Sequence, residues 1–354
     1  MVDQKEKPPA RPLVDEFIEL EVCSGTVSSL ASLLEKAGAD LIIPALEDYP
    51  ALQELSAAEE ELPAPLVFDL ASYETTRCKE SSRQFFRQHS LPHARAWPES
   101  GLPVIVKPAE RSGSEDVRRA DSRRELEKIE EEFSDEKLVI EEFISGPVYS
   151  LEVIAYGDDI HPLLPTRLEF APDYDCRQVL AGSMIPEGIV SELEDIARRC
   201  ARELKLEGIM DIEVIAGGEG MKIMEIDARF PSQTPAAVLA AGGINMVERL
   251  AELYLELDYE TPPARPGTGA GIYEHILVRE GEIKSPGEHI MTEADELKLQ
   301  EDFFGADYAI SDYIPGSSSW RAILIFAGDS AAEVMGRRRR TLSRIERRME
   351  DEPE

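Results

Sequence analysis

The sequence predicts a mixed α/β and α+β chain, with a parallel sheet in an N-terminal lobe and mostly antiparallel strands beyond it. Three observations predict this. Before residue 70, short apolar runs alternate with helical stretches, the pattern of βα units whose sheet is covered by helices. Beyond residue 100, apolar strands follow one another across turns, as in an antiparallel sheet. Between 208 and 230, two apolar runs flank Gly217-Gly218-Glu219-Gly220 and read as a hairpin.

The elements follow in order. Residues 26–37 are predicted helical, Leu41-Ile42-Ile43-Pro44 is a short buried strand, 47–57 is helical, and APLVF (64–68) is a second short strand. A helix over 78–90 stops before Leu91-Pro92, since the residue before proline is driven out of the helical region. PVIVKP (103–108) is β-branched and reads as a strand, followed by the loop ERSGSED and a charged helix over 122–132. KLVIEEFI (137–144) is a strand that runs into the turn Ser145-Gly146-Pro147. VYSLEVIAY (148–156) and PLLPTRLEF (162–170) read as an antiparallel pair, and 187–204 as an amphipathic helix. The hairpin strands are 208–216 and 221–230, and one helix is predicted over 235–256. Residues 257–268, rich in Pro and Gly, are a predicted surface loop; strands near 270–278 and 320–327 and a helical C-terminal stretch complete the chain. The Arg337–Arg340 run in that last helix reads as a solvated face, and no internal repeat is visible.

Bulk properties narrow the function. A length of 354 residues is a prior for two or three domains, and 42% hydrophobic content is enough for real cores. No run approaches the ~18 consecutive apolar residues of a membrane span, and MVDQKEKPPARP has no apolar signal-peptide core. Cys23, Cys78, Cys176 and Cys200 lack metal-type spacing, which suits a reducing cytoplasm and argues against a disulfide framework. With 71 Asp and Glu against 38 Lys and Arg, the net charge is -33, spread along the chain. Such a charge repels nucleic acid. It also strains the compact state unless salt screens it, so it reads as halophilic adaptation or as a surface for a cationic partner.

Three stretches carry chemistry. In GIMDIEVIA and MKIMEIDARF, Asp211 and Glu213 share one strand face, as do Glu225, Asp227 and Arg229. If the strands pair, four carboxylates meet on one face and repel unless a cation sits among them; such oxygen ligands suit Mg²⁺. A solvated sheet edge in an acidic protein is the alternative. In PVIVKPAERSGSED, Lys107 ends a strand before a loop of Ser112, Gly113 and Ser114, whose backbone N–H groups can cradle phosphates; a lysine before an ordinary turn reads the same way. In LVIEEFISG, a strand end with Glu141 and Glu142 can offer backbone to a nucleobase edge and a carboxylate to ribose hydroxyls.

In this order, the three stretches resemble the ATP-grasp carboxylate–amine ligases. GIMDIEVIAGGEGMKIMEIDARFPSQTP (208–235), IEEFISGPVYSLEVI (140–154), DYDC (173–176) and IYEHI (272–276) resemble the branch that joins 3-methyl-D-ornithine to lysine in pyrrolysine biosynthesis. The resemblance implies an ATP-grasp fold whose N-terminal parallel-sheet (Rossmann-like) lobe lacks its first β-α unit. Lobes are expected at 1–70, 71–146 and 147–354. ATP and Mg²⁺ are the implied cofactors, 3-methyl-D-ornithine and L-lysine the small-molecule partners; no nucleic acid or membrane is implied, and a homodimer is allowed.

Residue by residue, the resemblance implies that Lys79 contacts phosphate or adenine and Lys107 the α- and β-phosphates. Ser112, Gly113 and Ser114 cover the triphosphate, and Glu141, Glu142, Phe143 and Ile144 form the adenine-side hinge. Glu213, Glu225 and Asp227 hold Mg²⁺, with Asp211 a reserve ligand or an ammonium-binding group, and Arg229 steadies an acyl phosphate. Ser232 and Thr234 contact the amino-acid substrate, Glu152 and Asp175 face its amino groups, and Glu47 stands nearest to the lysine site.

Three departures accompany the resemblance. The family's first strand, glycine-rich turn and helix have no counterpart before Val2-Asp3, which fits a misassigned start or a rebuilt lobe. Glu115 and Asp116 stand in the phosphate loop where the family has small or apolar residues, which is unfavourable unless they point outward. Val148 stands where many ATP-grasp enzymes carry a ribose-binding glutamate, but this branch carries valine there. A ligase for other amino acids and a non-catalytic nucleotide- or amino-acid-binding homologue are the rival functions.

Overall fold

The computed structural model describes residues 1–111, 113–257 and 269–351. At the N-terminus, β1 (Val2–Asp3) and β2 (Ile18–Glu19) pair in parallel. Helix α1 (Val27–Ala37) follows, then α2 (Tyr49–Ala57), which Asp48 caps by accepting the Ala51 N–H at 3.1 Å. The runs predicted as strands, 41–44 and 64–68, meet only at one parallel bridge, Ile42 to Leu66. The direction is as expected, but the ladder is not extended. Pro44, Pro63 and Pro65 flank the bridge and lack the N–H groups a ladder needs. The side chains still do what the pattern demands: Leu30, Leu55 and Leu66 form a core, with Val2, Leu20 and Ile42 packed around it.

Helix α3 (Leu70–Thr76) is absent from the sequence prediction, although its signal is present. Asp69 is a good N-cap, and its carboxylate accepts the Ser72 N–H at 3.0 Å. Helix α4 (Lys79–Gln88) falls within the expected 78–90. A small antiparallel sheet comes next, with β3 (Val104–Pro108) between β4 (Arg118–Ala120) and β5 (Leu138–Glu142). Helix α5 (Arg123–Glu132) opens on a Ser122–Glu125 capping box and sends Leu126 into a core with Val104, Val106 and Ala120.

An eleven-stranded sheet forms the rest of the molecule. Its first strands are β6 (Val148–Tyr156), β7 (Asp159–Pro162), β8 (Thr166–Phe170) and β9 (Cys176–Gly182). The strand predicted over 162–170 is thus split, with Pro165 in the break. Helix α6 (Glu187–Leu204) buries Leu193, Ile196, Ala197, Cys200 and Ala201 in the largest core. Each aliphatic side chain fully buried there contributes about 2 kcal/mol. The hairpin is β10 (Gly208–Gly217) and β11 (Gly220–Asp227).

The helix predicted over 235–256 is two helices, α7 (Thr234–Gly242) and α8 (Met246–Tyr254). Gly243 (φ 68°) closes the first in a left-handed conformation that favours glycine, and Asn245 caps the second through the Val247 and Glu248 N–H groups. The predicted surface loop 257–268 lies, beyond Leu257, outside the described residues. The sheet continues with β12 (Ala270–Arg279), β13 (Glu282–Lys284), β14 (Lys298–Glu301), β15 (Tyr308–Ser311) and β16 (Ser319–Gly328). In space the main order is β11-β10-β6-β8-β9-β12-β16-β15-β14, with β7 on β6 and β13 on β12.

In helix α9 (Ala331–Asp351) the solvated reading of the arginine run holds for Arg339 and Arg340, which are exposed, but not for Arg337 and Arg338. Arg338 clasps Glu274 with two contacts of 2.5 Å, and Arg337 pairs with Asp307 and Glu333. Glu274 is only 2% exposed in the middle of β12, and a carboxylate so buried needs a cation. Among the described residues, no helix is long and apolar enough to cross a membrane.

Candidate active site

The site is built on three neighbouring strands. In the β10–β11 ladder, Asp211 lies opposite Asp227 and Glu213 opposite Glu225, with a register shift just after Glu213. In the β10–β6 ladder, Asp211 lies opposite Glu152 and Glu213 opposite Ser150. Opposed residues of an antiparallel ladder share a face. The sheet therefore carries two adjacent rows, Glu152–Asp211–Asp227 and Ser150–Glu213–Glu225. Apolar neighbours Ile212, Val214 and Ile226 point the other way into the core, which fixes the acidic face by the two-residue period of a strand.

The crowding shifts the carboxyls toward their neutral forms. Burial pushes Asp211 up to about 7, aided by Glu152 and Glu225. Burial pushes Asp227 up to about 8 against the opposing pull of Arg229, and raises Glu213 well above the carboxylate range with Asp211 and Glu225 adding to it. Glu152 is fully buried and pushed up to about 7; neither oxygen has a hydrogen bond of good geometry, though the Thr234 and Ser150 hydroxyls beside it favour the charged form. The cations are few. Arg229 pairs with Asp227 at 2.9 Å and with Glu47, and Lys107 pairs with Glu141 at 2.7 Å. Burial alone would lower the Lys107 pKa, but Glu141, with Glu225 and Glu213 beyond it, raises it on balance.

Among the described residues, no three Asp, Glu, His or Cys side chains converge as a ready metal cage. The donor set fits Mg²⁺ nevertheless, because that ion takes one or two carboxylates and completes its octahedron with water and substrate phosphates. Facing oxygen ligands on buried, mutually repelling carboxyls favour such an ion.

Two cavities of about 400 and 410 Å³ open on either side of this face. They share Ser114, Phe170, Glu213 and Glu225, so the two carboxylates stand at the junction. The first cavity has an apolar body that includes Ile105, Val148, Ile215 and Met224, and it is bounded by Lys79, Lys107 and the 141–144 segment. That shape suits an aromatic base with a charged tail. Both hinge carboxylates are already engaged. Glu142 takes the Arg95 side chain at 2.6 Å and its backbone N–H at 2.9 Å, and Glu141 takes Lys107 and, at 3.8 Å, Arg83. The Phe143 ring lies under Arg119, 4.0 Å away.

The loop between β3 and β4 resolves the difficulty of its two acids. Arg111 binds Asp116 and, at 3.2 Å, Glu115, and holds Glu136 at 2.5 Å; Arg118 takes Asp116 at 2.8 Å. Lys79 donates to the Arg111 carbonyl and ties α4 to the loop. Ser112 lies outside the described residues. Gly113 and Ser114 adopt left-handed backbone (φ 60° and 59°); both line the second cavity, and Ser114 also lines the first.

The described wall of the second cavity carries six carboxylates (Glu47, Asp211, Glu213, Glu225, Asp227 and Glu288) and one arginine, Arg229. Ser232 and Thr234 also line it. Two expected substrate residues are placed elsewhere. Glu152 lies beneath the wall, and Asp175 turns away to accept the backbone N–H groups of Glu288 and His289 at 3.1 and 3.2 Å and to pair with the His289 ring at 2.8 Å. Sequence reasoning missed Glu288, Gln233 and Cys176 on this wall. Gln233 sits inside the SQTP motif and could have been found; Glu288 reaches the site from a segment with no periodic signal. The Cys176 thiol is pushed well above its usual range by burial and by Glu213 and Glu288, so it stays protonated.

Residues 79–233 match the ATP-grasp domain family. The chain is 32% identical over 294 residues to the 3-methyl-D-ornithine–L-lysine ligase of Methanosarcina acetivorans, covering 82% of this chain and 77% of that one. It is 31% identical to the Methanosarcina barkeri ligase of the same name, with the same coverage. In fold it is similar to the L-amino acid ligase from Bacillus licheniformis (TM-score 0.69, 17% identity, 94% of this chain and 87% of that one). It is also similar in fold to N5-carboxyaminoimidazole ribonucleotide synthetase in its ADP complex (TM-score 0.70, 14% identity, 98% and 89%). With its carboxylate rows and paired cavities in an ATP-grasp fold, the chain belongs to the 3-methyl-D-ornithine–L-lysine ligase family of ATP-grasp ligases.

Proposed function

We propose that this chain is an ADP-forming ligase of pyrrolysine biosynthesis. It joins the carboxylate of (3R)-3-methyl-D-ornithine to the ε-amine of L-lysine, at the expense of ATP, in a salt-rich cytoplasm, with lobes at 1–70, 71–146 and 147–354. One observation carries the reading: the two cavities share Glu213 and Glu225. A nucleotide in the apolar cavity then presents its terminal phosphate at the wall of the acidic one.

The roles follow from charge and placement. The backbone of 141–144 frames the base. Lys107, kept cationic by Glu141, takes the α- and β-phosphates, and the Gly113–Ser114 stretch lies over them. Glu213, Glu225 and Asp227 would hold Mg²⁺, which when bound neutralises phosphate charge as it develops. The ornithine carboxylate oxygen attacks the γ-phosphorus, ADP leaves, and an acyl phosphate remains. Arg229, braced between Asp227 and Glu47, faces that anion. A wall carboxylate or solvent takes one proton from the lysine ε-ammonium, the neutral amine attacks the acyl carbon, and the departing phosphate carries away the second proton as the amide forms. Positioning and fixed charge supply the rate here, and no covalent enzyme intermediate is required.

The test is ADP release in molar KCl with Mg-ATP, lysine and either D-ornithine or its 3-methyl derivative, with the product mass recorded. Release that needs both amino acids, with a product one water lighter than their sum, supports the reading. Release with other amino acids alone would overturn the substrate assignment.

A further inference from the structure

Glu288 stands out because neither the motifs nor the roles above include it. It sits at the start of a short 3-10 helical segment (Glu288–Glu293) and lines the acidic cavity. Its Oε2 accepts from the Gln233 Nε2 at 2.6 Å. The ionised carboxylate only accepts, so the Gln233 amide turns its nitrogen toward it; burial raises the Glu288 pKa, and the Gln233 amide and His289 pull it back. That leaves the Gln233 carbonyl oxygen facing elsewhere. The side chain is only 9% exposed and lines the same cavity, and its Oε1 has no donor among the described residues. A buried acceptor without a donor costs about 1–3 kcal/mol, so it marks a place where a donor arrives.

The charges around the cavity select the kind of donor. Arg229 already serves Asp227 and Glu47, and Glu213 and Glu225 stand at the phosphate junction. The nearby His289 ring is paired to Asp175. Glu288, by contrast, is held by a neutral amide. A donor that satisfies both Glu288 and the Gln233 carbonyl should therefore carry several hydrogens and a positive charge.

The backbone here is built to hold Glu288 still. Asp175 accepts the N–H groups of both Glu288 and His289. Gly287 (φ 143°) lets it come that close, since a Cβ there would overlap the Asp175 carboxyl. Asp175 is thus a positioning residue, acting through Glu288.

We infer that Glu288 and the Gln233 carbonyl form the seat for an ammonium group of an amino-acid substrate, so that Glu288 selects substrates carrying that amine. This rests on the ligase reading of the same cavity. The test is calorimetric binding to the full chain with Mg²⁺ and a non-hydrolysable ATP analogue. The ligands are D-ornithine and L-lysine, each alongside analogues that lack one amine: D-norvaline and 5-aminopentanoate for the first, norleucine and 6-aminohexanoate for the second.

E288Q keeps the size and the Gln233 contact but loses the charge. It is expected to weaken one of the two diamino acids at least tenfold. It should weaken equally the analogue that keeps the seated amine, and leave the analogue without it, and the nucleotide, within twofold. D175N should weaken the same ligand, with the wild-type affinity for nucleotide. The inference is overturned if both diamino acids bind E288Q within twofold of wild type, if nucleotide affinity falls alongside, or if wild type binds neither diamino acid. Glu288-dependent binding without amide formation would instead sink the ligase reading and leave the ammonium seat standing.

Discussion

At the scale of single residues, the site is governed by too many carboxylates for its cations. Asp227 is the clearest case, pushed up to about 8 by burial although Arg229 opposes the shift. Its side chain keeps 29% exposure, so solvent softens the effect on stability to roughly 1–2 kcal/mol. The sign follows from proton linkage. In the unfolded chain the carboxyl titrates near 4, and in the folded one near 8, so between these values the folded state holds the extra proton. The stabilisation is complete below about pH 4 and is lost as pH rises through 8. Without metal, the melting temperature should therefore fall between pH 6 and 8, and D227N should flatten that slope. Because Mg²⁺ competes with those protons, it should raise the melting temperature more at pH 8 than at pH 6. An equal Mg²⁺ shift at both values would argue against Asp227 as a ligand.

At the scale of elements, the loop between β3 and β4 is the informative one. Glu115 and Asp116 would repel a triphosphate, yet Arg111 and Arg118 neutralise them and Lys79 fastens the loop to α4. These pairs are partly exposed, so each adds little to stability and acts chiefly by neutralising charge next to the cavity. R111A releases both acids together and should raise the KM for ATP about fivefold, with the KM of each amino acid unchanged. Steady-state kinetics with each substrate varied in turn checks this. The R111A,E115Q,D116N triple variant should recover most of the loss, because repulsion and not the missing arginine is then the cause. No recovery would assign Arg111 a direct contact with nucleotide.

For the whole molecule, the net charge of -33 is the dominant fact. The pairs that cross the chain, Glu47 to Arg229 and Glu274 to Arg338, each take one cation and one carboxylate together, so the excess of negative charge is left to the rest of the molecule. Self-repulsion of that size should be relieved as the Debye length shrinks from about 10 Å at 0.1 M salt to about 3 Å at 1 M. The melting temperature should climb by several degrees over that range of KCl, and most of the climb should be absent with an equal osmolality of sucrose. A flat KCl profile would remove the case for salt adaptation.

The sequence by itself determined which faces were acidic and which apolar. Asp211 and Glu213, like Glu225 and Asp227, are two apart on strands interleaved with Ile212, Val214 and Ile226, and the two-residue period leaves no other arrangement. The placement of Lys107, Glu141 and Glu142 beside one cavity was legible too, because each lies on a strand whose apolar run is plain in the sequence. Elements whose existence depended on partners far along the chain were not legible. The single Ile42–Leu66 bridge, the strand Cys176–Gly182, and the exposed edge strand Lys298–Glu301 take their form from neighbours rather than from their own patterns. The break between α7 and α8 was written in Gly242-Gly243 but yielded to the apolar run on either side. Only the tertiary structure decided that Asp175 turns from the cavity, that Glu288 enters it, and that Arg338 finds Glu274. Those contacts join residues 55 to 113 positions apart, and no local propensity encodes where a chain that long brings its ends together.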